Sequence, residues 1–170
     1  MTLINVVLYE PEIPQNTGNI MRTCMAFNMH LHLIEPLGFS FDDKYLKRSH
    51  MDYINDVSYD IYPDYLSFCE KNTKGQFVYF SRYGLKSFKE CKFRNDEDIY
   101  LLFGKESTGI PKSILKDHLD ETYRFPMKAN ARSLNLSNCV AIAAYECLNQ
   151  VGFDGLSDKE VIKGEDWLLK

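Results

Sequence analysis

Residues 125–146 read FPMKANARSLNLSNCVAIAAYE. The stretch opens as the end of a strand and closes as a helix with hardly a charge on it. Between the two lies a loop dominated by small and amide side chains. Arg132, Ser133, Asn135, Ser137 and Asn138 supply donors and acceptors, and Leu134 and Leu136 alternate with them as anchors. Such a loop reads as the lining of a small-molecule pocket. A helix that is apolar on every side is expected to be buried, and Ala141, Ala143 and Ala144 leave room for a close neighbour. A single domain seldom buries its last helix all round. A subunit interface is therefore expected here, with Tyr145 carrying its polar tip toward the partner.

The rest of the chain fits around that stretch. Short apolar strands are expected over 3–9, 31–35, 76–80, 99–103 and 122–125, with a weaker one near 55–59. Helices are expected over 16–28, 63–72, 111–119 and 137–151. Pro63 and Pro111 open two of them, Asn16 or Thr17 caps the first, and Gly152 stops the last. Strand and helix alternate, which is the pattern of a mostly parallel α/β sheet with helices on both faces. Ligands of such sheets bind beyond the carboxyl ends of the strands. That directs attention to four loops: EPEIPQNTGN, FSRYG, FGKESTGIP and PMKANARSLNLSN.

Bulk composition narrows the class. The chain has 170 residues, 45% hydrophobic and 26% charged, which suits one globular domain. No apolar run is long enough for a membrane helix, and the N-terminus has no basic region of a signal peptide. The five cysteines are an odd number, scattered and without a CxxC pair, so reduced thiols and a cytoplasmic location are expected. The net charge of −4 argues against a protein that coats nucleic acid. A local basic patch remains in DDKYLKRSH, with Lys44, Lys47, Arg48 and His50; a solvated amphipathic turn is the plainer reading of it.

Several chemistries are excluded or demoted. Gly104 and Gly109 have the spacing of a P-loop, but Ile110 and Pro111 stand where Lys and Ser/Thr are required. Pro111 also removes a backbone donor. No GxGxxG occurs. His30 and His32 share one face of a strand, but no third ligand lies near in sequence, so a solvent-facing pair is expected and no metal. No Ser/His/Asp or Cys/His nucleophile arrangement is legible. Gly104 follows an apolar strand directly, as where a ligand or another backbone comes close. Arg22 lies among Ile20, Met21, Cys24 and Met25, and either snorkels to the surface or holds an anion.

Taken together, NTGNIMRTC, LFGKESTGIP and the opening stretch resemble motifs one, two and three of the SPOUT methyltransferases. The segments VVLYEPEIPQNTGNIMR, LIEPLGFSFDDKYLKRSHMDY and RSLNLSN are similar to the small subfamily that methylates the ribose 2′-hydroxyl of the tRNA wobble nucleotide. The resemblance runs from about Leu3 to Gly152. It implies a C-terminal trefoil knot, S-adenosylmethionine as cofactor with S-adenosylhomocysteine as product, no metal, and a homodimer through the last helix. It implies a single domain over 1–155, a tail over 156–170, and tRNA as partner, with leucine isoacceptors and cytidine or a 5-substituted uridine as target.

Residue by residue, the resemblance assigns the cofactor to Phe80, Gly104, Phe125, Met127, Ser133 and Leu134. Asn16 and Arg22 match a catalytic pair, Glu106 the motif-two glutamate, Asn135 and Ser137 polar pocket positions, and Tyr145 a tyrosine near the active site at the interface. Lys44, Lys47, Arg48 and Arg124 are expected to hold tRNA. Phe125 stands where an aliphatic residue is usual, and the tail over 156–170 goes beyond the shared region. The family's activating role for Arg22 is awkward, because a guanidinium has no acceptor. Fixing a phosphate and stabilising a developing alkoxide suits it better, with a phosphate oxygen or water taking the proton. Two rivals are a non-catalytic RNA-binding or assembly protein with a vestigial pocket, and a ribosomal-RNA ribose methyltransferase of the same fold.

Overall fold

The computed structural model describes residues 2–41 and 57–170. Seven strands form one sheet: β1 Ile4–Tyr9, β2 His30–Ile34, β3 Tyr59–Tyr62, β4 Gln76–Phe80, β5 Lys86–Ser87, β6 Ile99–Phe103 and β7 Thr122–Arg124. The helices are α1 Pro14–Ala26, α2 Tyr65–Lys71, α3 Lys112–Asp117 and α4 Leu136–Val151. Strand order is β3-β2-β1-β6-β4-β7-β5, and every pairing is parallel. The expected α/β architecture is therefore present.

Strand periodicity splits the core in two. Ile4, Val6 and Leu8 of β1 and Ile99, Leu101 and Phe103 of β6 point to one face, where α1 and α4 pack through Ile20, Met21, Cys24, Ala143, Ala144 and Cys147. Val7, Tyr100 and Leu102 point to the other, against Phe68 of α2 and Leu115 of α3. The central strands are buried on both sides and read as continuous apolar runs, as parallel strands must.

Several boundaries differ from expectation. The weak strand near 55–59 gives way to β3 at Tyr59–Tyr62; residues 55 and 56 lie outside the described residues. Pro63 does not open α2. Asp64 caps it, its side chain accepting from the Ser67 N–H at 2.7 Å. Pro111 is the N-cap of α3. The short β5 was not anticipated, because two residues leave no periodic signal. Gly152 ends α4 as expected, at φ 107°.

The helix α4 is not buried all round within one chain. Val140, Ala143, Ala144, Cys147 and Leu148 are buried, whereas Ile142 is 47% and Tyr145 56% exposed. Beyond α4 the chain has one short 3₁₀ turn, Trp167–Leu169, and these three side chains remain exposed.

The two histidines do not both face solvent: His30 is half-buried. His32 is buried, with Nδ1 2.9 Å from the Tyr62 hydroxyl and Nε2 3.0 Å from Asn5 Oδ1. Asn5 Nδ2 donates to the Leu3 and Ile99 carbonyls, so its Oδ1 must accept. His32 therefore carries its proton on Nε2 and accepts from Tyr62 at Nδ1. Burial depresses its pKa to about 4. Asp60 supplies the third group not foreseen from the sequence, 2.8 Å from His30 Nε2. The hydrogen bonds already occupy both His32 nitrogens, so the trio reads as a polar strut between β1, β2 and β3.

Candidate active site

The carboxyl ends of β4, β6 and β7 open into a cavity of about 650 Å³. Its floor is aromatic. Phe80 stacks on Phe103 at 4.7 Å and on Phe125 at 5.2 Å between ring centroids. The unusual Phe125 thus contributes a ring to the floor, and Phe88 packs behind it at 5.0 Å. The walls come from the loops after β4 and β6 and from the segment leading into α4.

The loop after β6 is a closed turn. The Gly109 N–H donates to the Lys105 carbonyl at 2.8 Å, and Gly109 takes φ +73°. Gly104 lies so close to this turn that a Cβ there would overlap the backbone of Gly109 and Ile110. Only glycine fits where the loop folds back on its own strand.

A reciprocal clasp joins this loop to the segment before α1. Glu106 accepts from the N–H groups of Glu12 at 2.8 Å and Ile13 at 3.2 Å. Glu12 in return accepts from the Ser107 N–H and hydroxyl, each at 2.9 Å. These bonds hold the Glu12 carboxyl below its usual range. Lys105 pairs with Glu10 at 2.8 Å, and Glu10 adopts a left-handed φ of 48° as the chain leaves β1.

Asn16 is the hinge of a longer relay. Its Nδ2 donates to Glu106 Oε1 at 3.0 Å, and its Oδ1 accepts from Asn135 Nδ2 at 3.0 Å. Asn135 Oδ1 then accepts from the Ser137 N–H at 2.9 Å and hydroxyl at 2.7 Å, capping α4. One chain of amide and carboxylate bonds therefore fastens all three sequence motifs together. Asn16 does not cap α1, as the sequence suggested. The helix begins two residues earlier with Pro14 at its first turn, so Asn16 is already helical and buried. Thr17 is also buried, and its hydroxyl has no partner among the described residues.

Of the residues singled out from sequence, Asn16, Phe80, Gly104, Glu106, Phe125, Met127, Ser133, Leu134 and Asn135 line the cavity. Ser137 stands behind Asn135. Arg22 and Tyr145 are not in the cavity wall: Arg22 is exposed on α1, and the Tyr145 ring packs between Phe27 at 6.2 Å and Phe153 at 5.5 Å. The helices α1 and α4 run side by side in the same direction, since Asn16 meets Asn135 at one end and Phe27 meets Tyr145 at the other. Arg124 lies beside the cavity and donates from Nη1 to the Arg82 carbonyl at 2.9 Å. Lys44, Lys47, Arg48 and His50 lie outside the described residues.

The sequence reading did not single out Arg82, Tyr83 or Cys139 as individual lining residues. The first two belong to the FSRYG loop, already marked by its place after a strand. Burial pushes the Cys139 thiol up to about 11, so it stays neutral and serves as packing, not as a nucleophile.

Residues 3–145 match the SpoU rRNA Methylase family. The Escherichia coli K12 tRNA (cytidine(34)-2′-O)-methyltransferase is 40% identical over 155 residues, covering 90% of this chain and 97% of that one. A solved structure described as giving structural insights into the 2-OH methylation of C/U34 on tRNA is 41% identical, with TM-score 0.82, covering 88% of this chain and 97% of that chain. The SpoU methyltransferase AviRb from Streptomyces viridochromogenes, in complex with the cofactor AdoMet, shares the fold at 22% identity and TM-score 0.73, over 87% of this chain and 57% of that one. A match across most of the chain, on the loops that build the cavity, makes this protein a member of the SpoU methylase family.

Proposed function

We propose that the chain transfers the methyl group of S-adenosylmethionine to the ribose 2′-hydroxyl of tRNA nucleotide 34, cytidine or uridine. The observation that carries this reading is the relay through Glu106, Asn16, Asn135 and Ser137. It holds the three motif loops around one cavity, in a chain 40% identical over 90% of its length to a tRNA (cytidine(34)-2′-O)-methyltransferase. The aromatic floor suits a purine, and the backbone groups around Gly104, Met127 and Leu134 suit a cofactor's polar edges. The sulfonium supplies an activated methyl group. The protein's part is alignment, which alone can remove several kcal/mol from a barrier.

In this reading Asn16 and Glu106 are positioning residues, because their polar atoms hold the loops and are not free to move a proton. Arg22 fixes a tRNA phosphate and stabilises charge developing on the 2′-oxygen, and a phosphate oxygen or water takes the proton. Arg22 and Tyr145 stand outside one chain's cavity, so a second copy docked through α4 completes the site; exposed Ile142 and Tyr145 are the contact face. Residues 1–155 form the catalytic unit, with its C-terminal part knotted, and 156–170 are an appended tail. Lys44, Lys47, Arg48 and Arg124 hold the tRNA, and the substrate places the enzyme in the cytoplasm.

The test is incubation of the purified protein with S-adenosylmethionine and tRNA lacking this modification, followed by nucleoside analysis. Appearance of 2′-O-methylcytidine or 2′-O-methyluridine supports the reading. Cofactor binding without any ribose methylation of tRNA would favour the ribosomal-RNA alternative, and no cofactor binding would favour a non-catalytic role.

A further inference from the structure

The turn after β4 holds an aromatic ring out into solvent at the cavity rim. Tyr83 borders the cavity yet is 73% exposed. The turn is built, not slack. The Ser81 N–H donates to the Tyr123 carbonyl at 3.0 Å, the Gly84 N–H to the Ser81 carbonyl at 3.1 Å, and the Tyr83 N–H to Ser81 Oγ at 3.2 Å. Gly84 packs so tightly that a Cβ there would lie 2.6 Å from the Tyr123 carbonyl carbon. Arg124 ties down the Arg82 carbonyl from the other side. The backbone that carries this ring is thus held in place, and the ring itself stands largely in water.

The surroundings of that ring are cationic. The Arg82 guanidinium stands 5.5 Å from the centre of the Tyr83 ring. Lys128 and Arg132 flank the lining residues Met127 and Ser133 in the facing loop. Among the described residues, none of Arg82, Arg124, Lys128 and Arg132 forms an ion pair with a carboxylate. Arg82 lines the cavity and Arg124, Lys128 and Arg132 adjoin lining residues in sequence, in a chain whose net charge is −4. An exposed aromatic ring among cations fits a polyanion with flat, π-bearing groups, which is the chemistry of single-stranded RNA.

We propose that Tyr83 is a nucleobase platform. It stacks a base of the RNA loop that carries the reacting ribose, while Arg82 and Arg124 face the adjoining phosphates. This rests on the RNA-methyltransferase reading above and adds a substrate-binding residue to it. Proteins that recognise single-stranded RNA loops take up bases splayed out of their stack on aromatic side chains. A ring waiting at the rim offsets the stacking that is lost.

The experiment compares wild type, Tyr83→Phe and Tyr83→Ala on an unmodified anticodon stem-loop, with cofactor affinity measured by calorimetry. A second set of stem-loops carries 2-aminopurine beside nucleotide 34. The expected result for Tyr83→Ala is a KM for RNA raised roughly 10- to 100-fold, the range given by loss of one base–aromatic stack. Cofactor affinity stays unchanged. Tyr83→Phe keeps its ring and stays within about twofold of wild type. Wild type and Tyr83→Phe quench 2-aminopurine, and Tyr83→Ala does not. An unchanged KM in Tyr83→Ala overturns the proposal, and so does a loss that follows weakened cofactor binding, which would make the ring a cofactor cover. A wild type that methylates no tRNA at all overturns the underlying reading instead, and this inference with it.

Discussion

Asn16 is a short side chain with two polar atoms, and both are spent on holding loops. Asn16→Ala removes the middle of the relay and leaves Glu106 and Asn135 without their shared partner. Cofactor affinity is expected to fall about tenfold or more, since a lost buried hydrogen bond costs ~1–3 kcal/mol; calorimetry checks it. Arg22 belongs to a different class, because it is exposed and lies outside the cavity wall. Arg22→Ala is expected to leave cofactor binding intact and to lower the single-turnover methylation rate by about 100-fold, the scale of one lost transition-state donor. An unchanged single-turnover rate would remove Arg22 from the chemistry. The sequence made Asn16 visible through motif one but misplaced its role. Capping propensity pointed to Asn16 or Thr17, while Pro14 started the helix earlier and Glu106, distant in sequence, took over the loose N–H groups.

His32 carries a prediction of its own. Its pKa falls from 6.5 in the unfolded chain to about 4 in the fold, mainly through burial. The unfolded state therefore binds more protons between these values. The stabilisation is complete above pH 6.5 and is lost as pH falls toward 4. The loss amounts to ~3 kcal/mol. Urea midpoints measured from pH 7 to pH 4 should show that fall in wild type, and a clearly flatter profile in His32→Gln. Alternation of HLH along a strand was legible in the sequence. The burial of that face was not, because the covering groups Tyr62, Phe68 and Tyr100 come from three distant segments.

Among the elements, the parallel sheet was the most legible, since each central strand is a short apolar run and each pairs where the alternation demands. That same architecture located the site in advance, because parallel strands place their following loops on one edge. The closed turn after β6 is the element most sensitive to a single atom. Gly104→Ala must push Gly109 and Ile110 aside, so cofactor binding is expected to be lost and the melting temperature to fall; thermal unfolding with and without cofactor separates the two effects. The helix α4 was legible in composition but not in its surroundings. Its small residues pack on α1 and the sheet, and its exposed face keeps Ile142 and Tyr145. Replacing Ile142 with Asp places a charge on that face alone. Sedimentation should then show a monomer, with methylation reduced at unchanged folding; a variant that remains dimeric would place the interface elsewhere.

For the molecule as a whole, a net charge of −4 must coexist with binding to a polyanion. Arg82 on the cavity wall, with Arg124, Lys128 and Arg132 adjoining lining residues in sequence, supplies local positive charge that resolves the conflict. Binding to tRNA is therefore expected to weaken steeply with added salt, because binding releases counterions condensed on the phosphates. An affinity independent of salt would contradict a phosphate-based grip. The family match ends at residue 145, and residues 156–170 lie beyond the proposed catalytic unit. Val161, Ile162, Leu168 and Leu169 are exposed there, and the catalytic unit proposed here does not draw on them.

The most direct measurement is transfer of isotope-labelled methyl from S-adenosylmethionine to unmodified tRNA, with the labelled nucleotide located by nuclease digestion and mass spectrometry. Label on the ribose of nucleotide 34, and nowhere else, is the outcome expected from the cavity, its relay and its resemblance to the C34 enzymes. Label at another nucleotide, on a base, or on ribosomal RNA in place of tRNA would contradict it.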